Sequence, residues 1–153
     1  LRRSAGLLNV AIDEESLEEM ARRSRGTPRV ANRMLKRVRD FAQVKGNGKI
    51  DIQSTKEGLK ALGVDELGLE KLDRDILKII IERFNGGPVG IDTIAASLGE
   101  EKVTLEDVHE PYLIQSGLLF RTQKGRMVSR EGYRHFGLDF PSDRDDEQLE
   151  IEV

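Results

Sequence analysis

The stretch Ser24-Arg25-Gly26-Thr27-Pro28-Arg29-Val30-Ala31-Asn32-Arg33 carries the residue types for meeting an anion at a helix start. Thr27 is a good N-cap, and Pro28 fits the first helical position, where a missing N–H costs nothing. Arg29 then falls in the first turn, where its charge opposes the positive end of the helix dipole. That end, with its free N–H groups, already favours a phosphate. A phosphate between helix and arginine explains the placement; so does a carboxylate from the preceding helix, and the sequence leaves both open. Arg33, Lys36 and Arg37 read as a solvated or interdomain face.

A second basic feature lies in Leu118-Leu119-Phe120-Arg121-Thr122 and Arg126-Met127-Val128-Ser129, which read as two short strands. Gln123-Lys124-Gly125 makes the turn, with Gly125 supplying positive φ. Arg121 and Arg126 then fall near-opposite across the hairpin. Like charges so placed repel by roughly a few tenths of a kcal/mol, and a DNA phosphate reverses that sign. No catalytic constellation accompanies these groups. His109 and His135 are far apart and lack companion ligands, so no metal site is expected. His109 reads as partly exposed and without chemistry, and the acid pairs Glu14-Glu15 and Glu100-Glu101 as capping and surface charge.

These groups are positioned by a mainly helical chain of 153 residues. The net charge of −3 conceals an asymmetry, since residues 21–45 carry nine Lys or Arg and one acid while residues 139–153 carry seven acids and one base. A sequence pI near 5.6 is therefore no argument against nucleic acid. Without cysteine there are no disulfides or thiolate metal sites, and a reducing compartment is the natural home. No apolar run approaches the ~18–20 residues of a membrane span.

Ile12 to Ser16 opens a first helix with Leu17, Met20 and Ala21 as its apolar edge. A longer one follows Thr27: Val30, Met34, Val38 and Phe41 recur at helical spacing beside Ala31, Leu35 and Ala42, and Gly46-Asn47-Gly48 ends it. Ile50-Asp51-Ile52 reads as extended, and residues 54–62 as a helix stopped by Gly63. Beyond Gly68, Leu69, Leu72, Ile76, Ile80 and Phe84 form another stripe, broken by Asn85-Gly86-Gly87-Pro88. Ile91, Ile94, Ala95 and Leu98 predict a two-turn helix closed by Gly99. Thr104 reads as the cap of the next, buried through Leu105, Val108 and Tyr112, with Pro111 kinking or splitting it. Its exposed face offers Glu106, Asp107, Glu110 and Gln115. Helices followed by a basic hairpin are the order of a winged helix-turn-helix. Residues from about 141 lack apolar periodicity and read as an acidic disordered tail.

The words Ala21-Arg22-Arg23-Ser24-Arg25-Gly26-Thr27-Pro28-Arg29, Arg37-Val38-Arg39-Asp40, Leu62-Gly63-Val64-Asp65, Gly86-Gly87-Pro88-Val89-Gly90, Glu110-Pro111-Tyr112-Leu113-Ile114-Gln115 and Gly125-Arg126 occur in order. Through them, Leu1 to about Leu138 resembles the C-terminal two-thirds of the RuvB family, the bacterial Holliday-junction branch-migration motors of the AAA+ class. The resemblance implies a mainly α fold: a helical AAA+ lid domain at 1–66, a winged-helix DNA-binding domain with a β-hairpin wing at 67–140, and the tail at 141–153. It implies that Arg29 is the sensor-2 arginine that contacts nucleotide phosphate. It also implies that Arg121 and Arg126 are DNA-contacting wing residues and that Lys102 stands where relatives often carry an arginine. Gln123-Lys124 departs from an expected Pro-Arg pair.

The chain holds no G-x-x-x-x-G-K-[ST] and no Walker-B strand, so it reads as a fragment that does not hydrolyse ATP alone. Implied for the whole protein are ATP or ADP with Mg²⁺, double-stranded DNA at Holliday junctions, the partner RuvA, a homo-hexamer and a bacterial cytoplasmic location; the fragment alone is expected to be monomeric. Two other readings stand beside this one. A stand-alone winged-helix regulator needs base-reading groups on the third helix, which offers acids instead. A structural adaptor or another AAA+ lid, such as a clamp-loader piece, does not account for the motif order from Gly86 to Arg126.

Overall fold

The structure is a computed structural model, and it describes residues 3, 6, 11–25, 28–45 and 48–142. The Thr27 cap, Gly46-Asn47 and the tail from residue 143 lie outside the described residues. The fold is mainly α with one two-stranded sheet, and the chain divides into two compact units, Leu1–Lys71 and Leu72–Val153.

In the first unit, α1 (Glu14–Arg23) is capped by Asp13, whose carboxylate accepts from the Ser16 N–H at 2.9 Å. Helix α2 spans Pro28–Lys45 and α3 spans Ile52–Ala61. Met34, Leu35, Val38 and Ala42 of α2 are buried together with Met20, Ile50, Leu59 and Val64. Ile50 is extended as expected, in a parallel bridge to Ile12. Ile52, however, already belongs to α3: Asp51 caps that helix, and Ser54 answers in a reciprocal capping box. Gly58 lets α3 approach α2, since a Cβ there would come within 3.2 Å of Val38 Cγ2.

Ala21 is exposed rather than part of the apolar edge, and Arg23 takes the buried place. Its guanidinium donates from Nε to Glu19 Oε1 at 2.7 Å, and Arg22 donates to the same carboxylate at 2.7 Å. The Glu19 carboxyl is held below its usual value of 4.5, chiefly by the Arg22 hydrogen bond; burial opposes the shift and Arg23 adds to it. A carboxylate with a depressed folded pKa stabilises above its unfolded pKa and stops doing so as pH falls through the folded value. Glu19→Gln is therefore expected to lower the urea midpoint of this unit at pH 7, with the gap to the parent chain closing below the unfolded value near 4.5. A gap that does not narrow as pH falls below 4.5 would contradict this origin.

Residues 65–70 fold back on the end of α1. Asp65 Oδ1 accepts from the N–H groups of Leu67 and Leu69 at 3.0 and 2.9 Å, and Arg25 Nε donates to the Gly68 carbonyl at 3.0 Å. Gly68 has φ +80, and a Cβ there would stand 2.5 Å from the Arg23 carbonyl oxygen.

In the second unit, α4 (Lys71–Phe84) and α5 (Ile91–Leu98) follow the apolar stripes read from the sequence, except that Leu69, though buried, precedes α4 and belongs to the first unit. Gly99 ends α5 at φ +66. The next helix differs from expectation. Its first turn, α6 (Lys102–Thr104), starts after Glu101, so Thr104 lies inside the helix and caps nothing. A π-helical turn covers Leu105–His109, with the Glu110 N–H reaching the Leu105 carbonyl five residues back, and α7 continues over Glu110–Gln115. Pro111 lacks an N–H and crowds the carbonyl four residues before it; the wider turn takes up that misfit. The extra residue rotates the face. Leu105, His109, Glu110 and Leu113 are buried, whereas Val108 is 56% exposed.

Strands β1 (Leu119–Thr122) and β2 (Gly125–Val128) pair antiparallel, and Val89 adds a bridge to Arg126 on the other side. Thr122 pairs with Gly125, so the loop is the two residues Gln123-Lys124 and Gly125 begins the strand. A final helix, α8 (Arg130–His135), was not expected from sequence; Ser129 caps it by accepting from the Gly132 N–H at 3.1 Å. It buries Tyr133, which meets Phe140 edge-on at 5.4 Å.

Candidate functional site

Arg29 sits exposed in the first turn of α2, which contains no acid. On the preceding helix, Glu19 is taken by Arg22 and Arg23. Arg29 makes no ion pair with any described residue, whereas Arg33, one turn on, donates to Glu70 at 2.9 Å. A cation at a helix start whose first turn holds no acid, and with no ion pair among the described residues, is suited to an external anion. Among the described residues no group of three or more His, Asp or Glu side chains could hold a metal ion.

The wing brings Arg121 and Arg126 together as direct cross-strand partners. Their surroundings differ. Arg121 has a side chain 51% exposed, with Nη1 3.9 Å from Glu110 Oε1. The Arg126 side chain is 10% exposed and grips Glu110 with two donors, Nε to Oε2 at 3.0 Å and Nη2 to Oε1 at 3.2 Å. Glu106 Oε1 stands 3.8 Å from the same Nη2. The Arg126 Nη1 group has no partner among the described residues, so one edge of the guanidinium keeps its donors. Lys102 lies apart from this pair at the start of α6, half-exposed and 3.5 Å from Asp92 Oδ1.

The backbone beneath the wing is tightly bound. The Arg126 N–H donates to the Val89 carbonyl at 2.7 Å, Val89 returns the bond at 3.0 Å, and the Val128 N–H reaches Gly86 at 3.0 Å. Gly87 has φ +97, and a Cβ there would overlap the Arg126 carbonyl oxygen. The word Gly86-Gly87-Pro88-Val89 thus forms the third edge on which the wing rests.

Two family models match consecutive parts of the chain: the RuvB AAA lid domain over residues 1–65 and the RuvB C-terminal winged helix domain over residues 66–137. The structure is similar to that of the Thermotoga maritima RuvB Holliday junction branch migration motor, at 46% identity and a TM-score of 0.88, over 92% of this chain and 47% of that one. Two single-substitution variants of the same motor match with the same identity, coverage and TM-score. The chain belongs to the RuvB family. It spans about half the length of the solved RuvB chains it matches.

Within this RuvB-family fold, the sequence reading missed two pairs. Glu110, read as an exposed acid of the third helix, is 4% exposed and bound to Arg126. His109, read as partly exposed, is 5% exposed, with Nδ1 2.8 Å from Oδ1 of the fully buried Asp73 on α4. The one sequence signal for either was Pro111, which announced a disturbance but not its direction. Tyr112, read as core, is only half-buried. The exposed face of the third helix carries Lys102, Val103, Asp107, Val108, Ile114 and, as expected, Gln115, with Glu106 half-buried beside them.

Proposed function

We propose that this chain is the nucleotide-sensing and DNA-gripping part of an ATP-driven motor for Holliday junction branch migration. The lid occupies residues 1–66, the winged helix 67–140 and a solubilising acidic tail 141–153. Arg29 contacts the phosphate of a nucleotide held, with its Mg²⁺, mainly by a P-loop domain outside these residues, so the chain alone does not hydrolyse ATP. Arg121, Arg126 through its Nη1 edge, and Lys102 meet the DNA backbone. Backbone contact gives grip without sequence reading, as a translocating motor requires. The working form is a homo-hexamer on double-stranded junction DNA with RuvA as its partner, in the bacterial cytoplasm; no helix of the described residues is long and apolar enough to cross a membrane.

The observation that carries this reading is a paired-arginine wing beside a third helix whose exposed face is mostly valine, isoleucine and acid, with Lys102 and Gln115 at its two ends. Such a helix is a poor groove reader, while the wing suits phosphate. The test is binding of this chain to labelled duplex and junction DNA across a NaCl series. Weak, sequence-indifferent binding is expected, and Arg121→Ala should make log K against log[salt] shallower by about 0.9, the value for one phosphate. A tight site confined to one sequence would favour a stand-alone regulator.

A further inference from the structure

We propose that Glu110 is a positioning residue for DNA binding, setting the two wing arginines as one phosphate-directed pair before DNA arrives. The proposal rests on the wing being the DNA-contacting element. Arg121 and Arg126 face each other in register, where their like charges repel. A single carboxylate oxygen, Glu110 Oε1, lies 3.2 Å from Arg126 Nη2 and 3.9 Å from Arg121 Nη1, and Oε2 takes Arg126 Nε at 3.0 Å. Two long, mobile side chains are thereby converged by one buried acid, which removes ordering that DNA would otherwise have to impose.

Glu110 reaches that place because of the π-turn. An uninterrupted α-helix turns this residue outward with Asp107; the extra residue at Leu105–His109 turns it in. The turn is itself held by His109 on Asp73 of α4. Glu106, at 3.8 Å from Arg126 Nη2 and with a third of its side chain exposed, closes the rim. Two acids beside two arginines leave little net charge here, so the arrangement serves geometry more than attraction.

This gives Glu110→Gln an effect opposite in sign to simple electrostatics. In the 153-residue chain, removing this acid should weaken binding to fluorescein-labelled duplex by about fivefold or more and flatten the salt slope by about 0.9, as Arg126 drops out of register. Equal or tighter binding overturns the proposal. Arg126→Lys keeps the charge but not the fork, and should lose the same slope; a retained slope also overturns it. The parent chain offers a test that does not depend on a variant's folding. The Arg126 Nε–H signal should be ordered in free protein by side-chain NMR, and an averaged signal overturns the proposal. Arg121→Ala separates the two levels. If it leaves the slope unchanged, the wing reading and this inference fall together; if it flattens the slope while Glu110→Gln does not, only the positioning role falls.

Discussion

Arg126→Ala is expected to destabilise the winged-helix unit by about 3–5 kcal/mol, the range for stranding one member of a buried ion pair. Arg126 and Glu110 are both nearly removed from solvent, and their bonds are bidentate. Alanine leaves the Glu110 carboxylate buried without its main donors, and Glu106 beside it adds a second negative charge. For a domain of this size the loss corresponds to a drop in Tm on the order of 20 °C, readable by calorimetry of the chain. Replacing both members with methionine should recover much of that loss, because an apolar pair carries no desolvation cost. It should not recover DNA binding. Arg33→Ala is the contrasting case, since its pair with Glu70 is largely exposed and its loss should barely register. A loss below about 1 kcal/mol for Arg126→Ala would mean that water reaches Glu110 as soon as the arginine is gone.

Gly125→Ala is expected to be about as severe, near 3–5 kcal/mol, for a steric reason. Gly125 has φ +135, and a Cβ there would lie 2.6 Å from both the carbonyl carbon and the oxygen of Val89. Those are backbone atoms, fixed by two hydrogen bonds between Val89 and Arg126. Relief therefore requires the third edge to separate from the wing, which removes Arg126 from Glu110 as well. Gly99→Ala provides the control. Gly99 also has positive φ, at +66, but nothing lies within 4 Å of its Cβ position, so only the left-handed backbone is penalised, by about 1 kcal/mol. Urea denaturation of the two variants should separate them clearly. Equal losses would show that conformation rather than the approach of Val89 requires glycine at position 125.

The long helices were legible because periodic burial leaves a regular trace. In α2, Met34, Leu35, Val38 and Ala42 repeat the pattern and are all buried. Helix α8 left no such trace, since six residues are too few for periodicity, and its Ser129 cap was the only sign. The register of Arg121 against Arg126 was also legible, because a short loop fixes a hairpin. The burial of Arg126 was not, because an arginine on a strand reads as surface until something beneath it is known.

The sequence by itself determined the order of the longer helices, the wing and the presence of a helix start with an arginine at position 29, because each depends on residues near one another in the chain. It also carried the words that mark the RuvB family. Tertiary structure alone decided which cations are spoken for. Glu19 goes to Arg22 and Arg23, while Glu110 is turned inward by the π-turn and takes Arg126. Ion pairing between distant residues depends on a few ångströms and on which face of a helix is buried. One added residue in a helical turn changes that face by roughly 100°, and no local pattern records it.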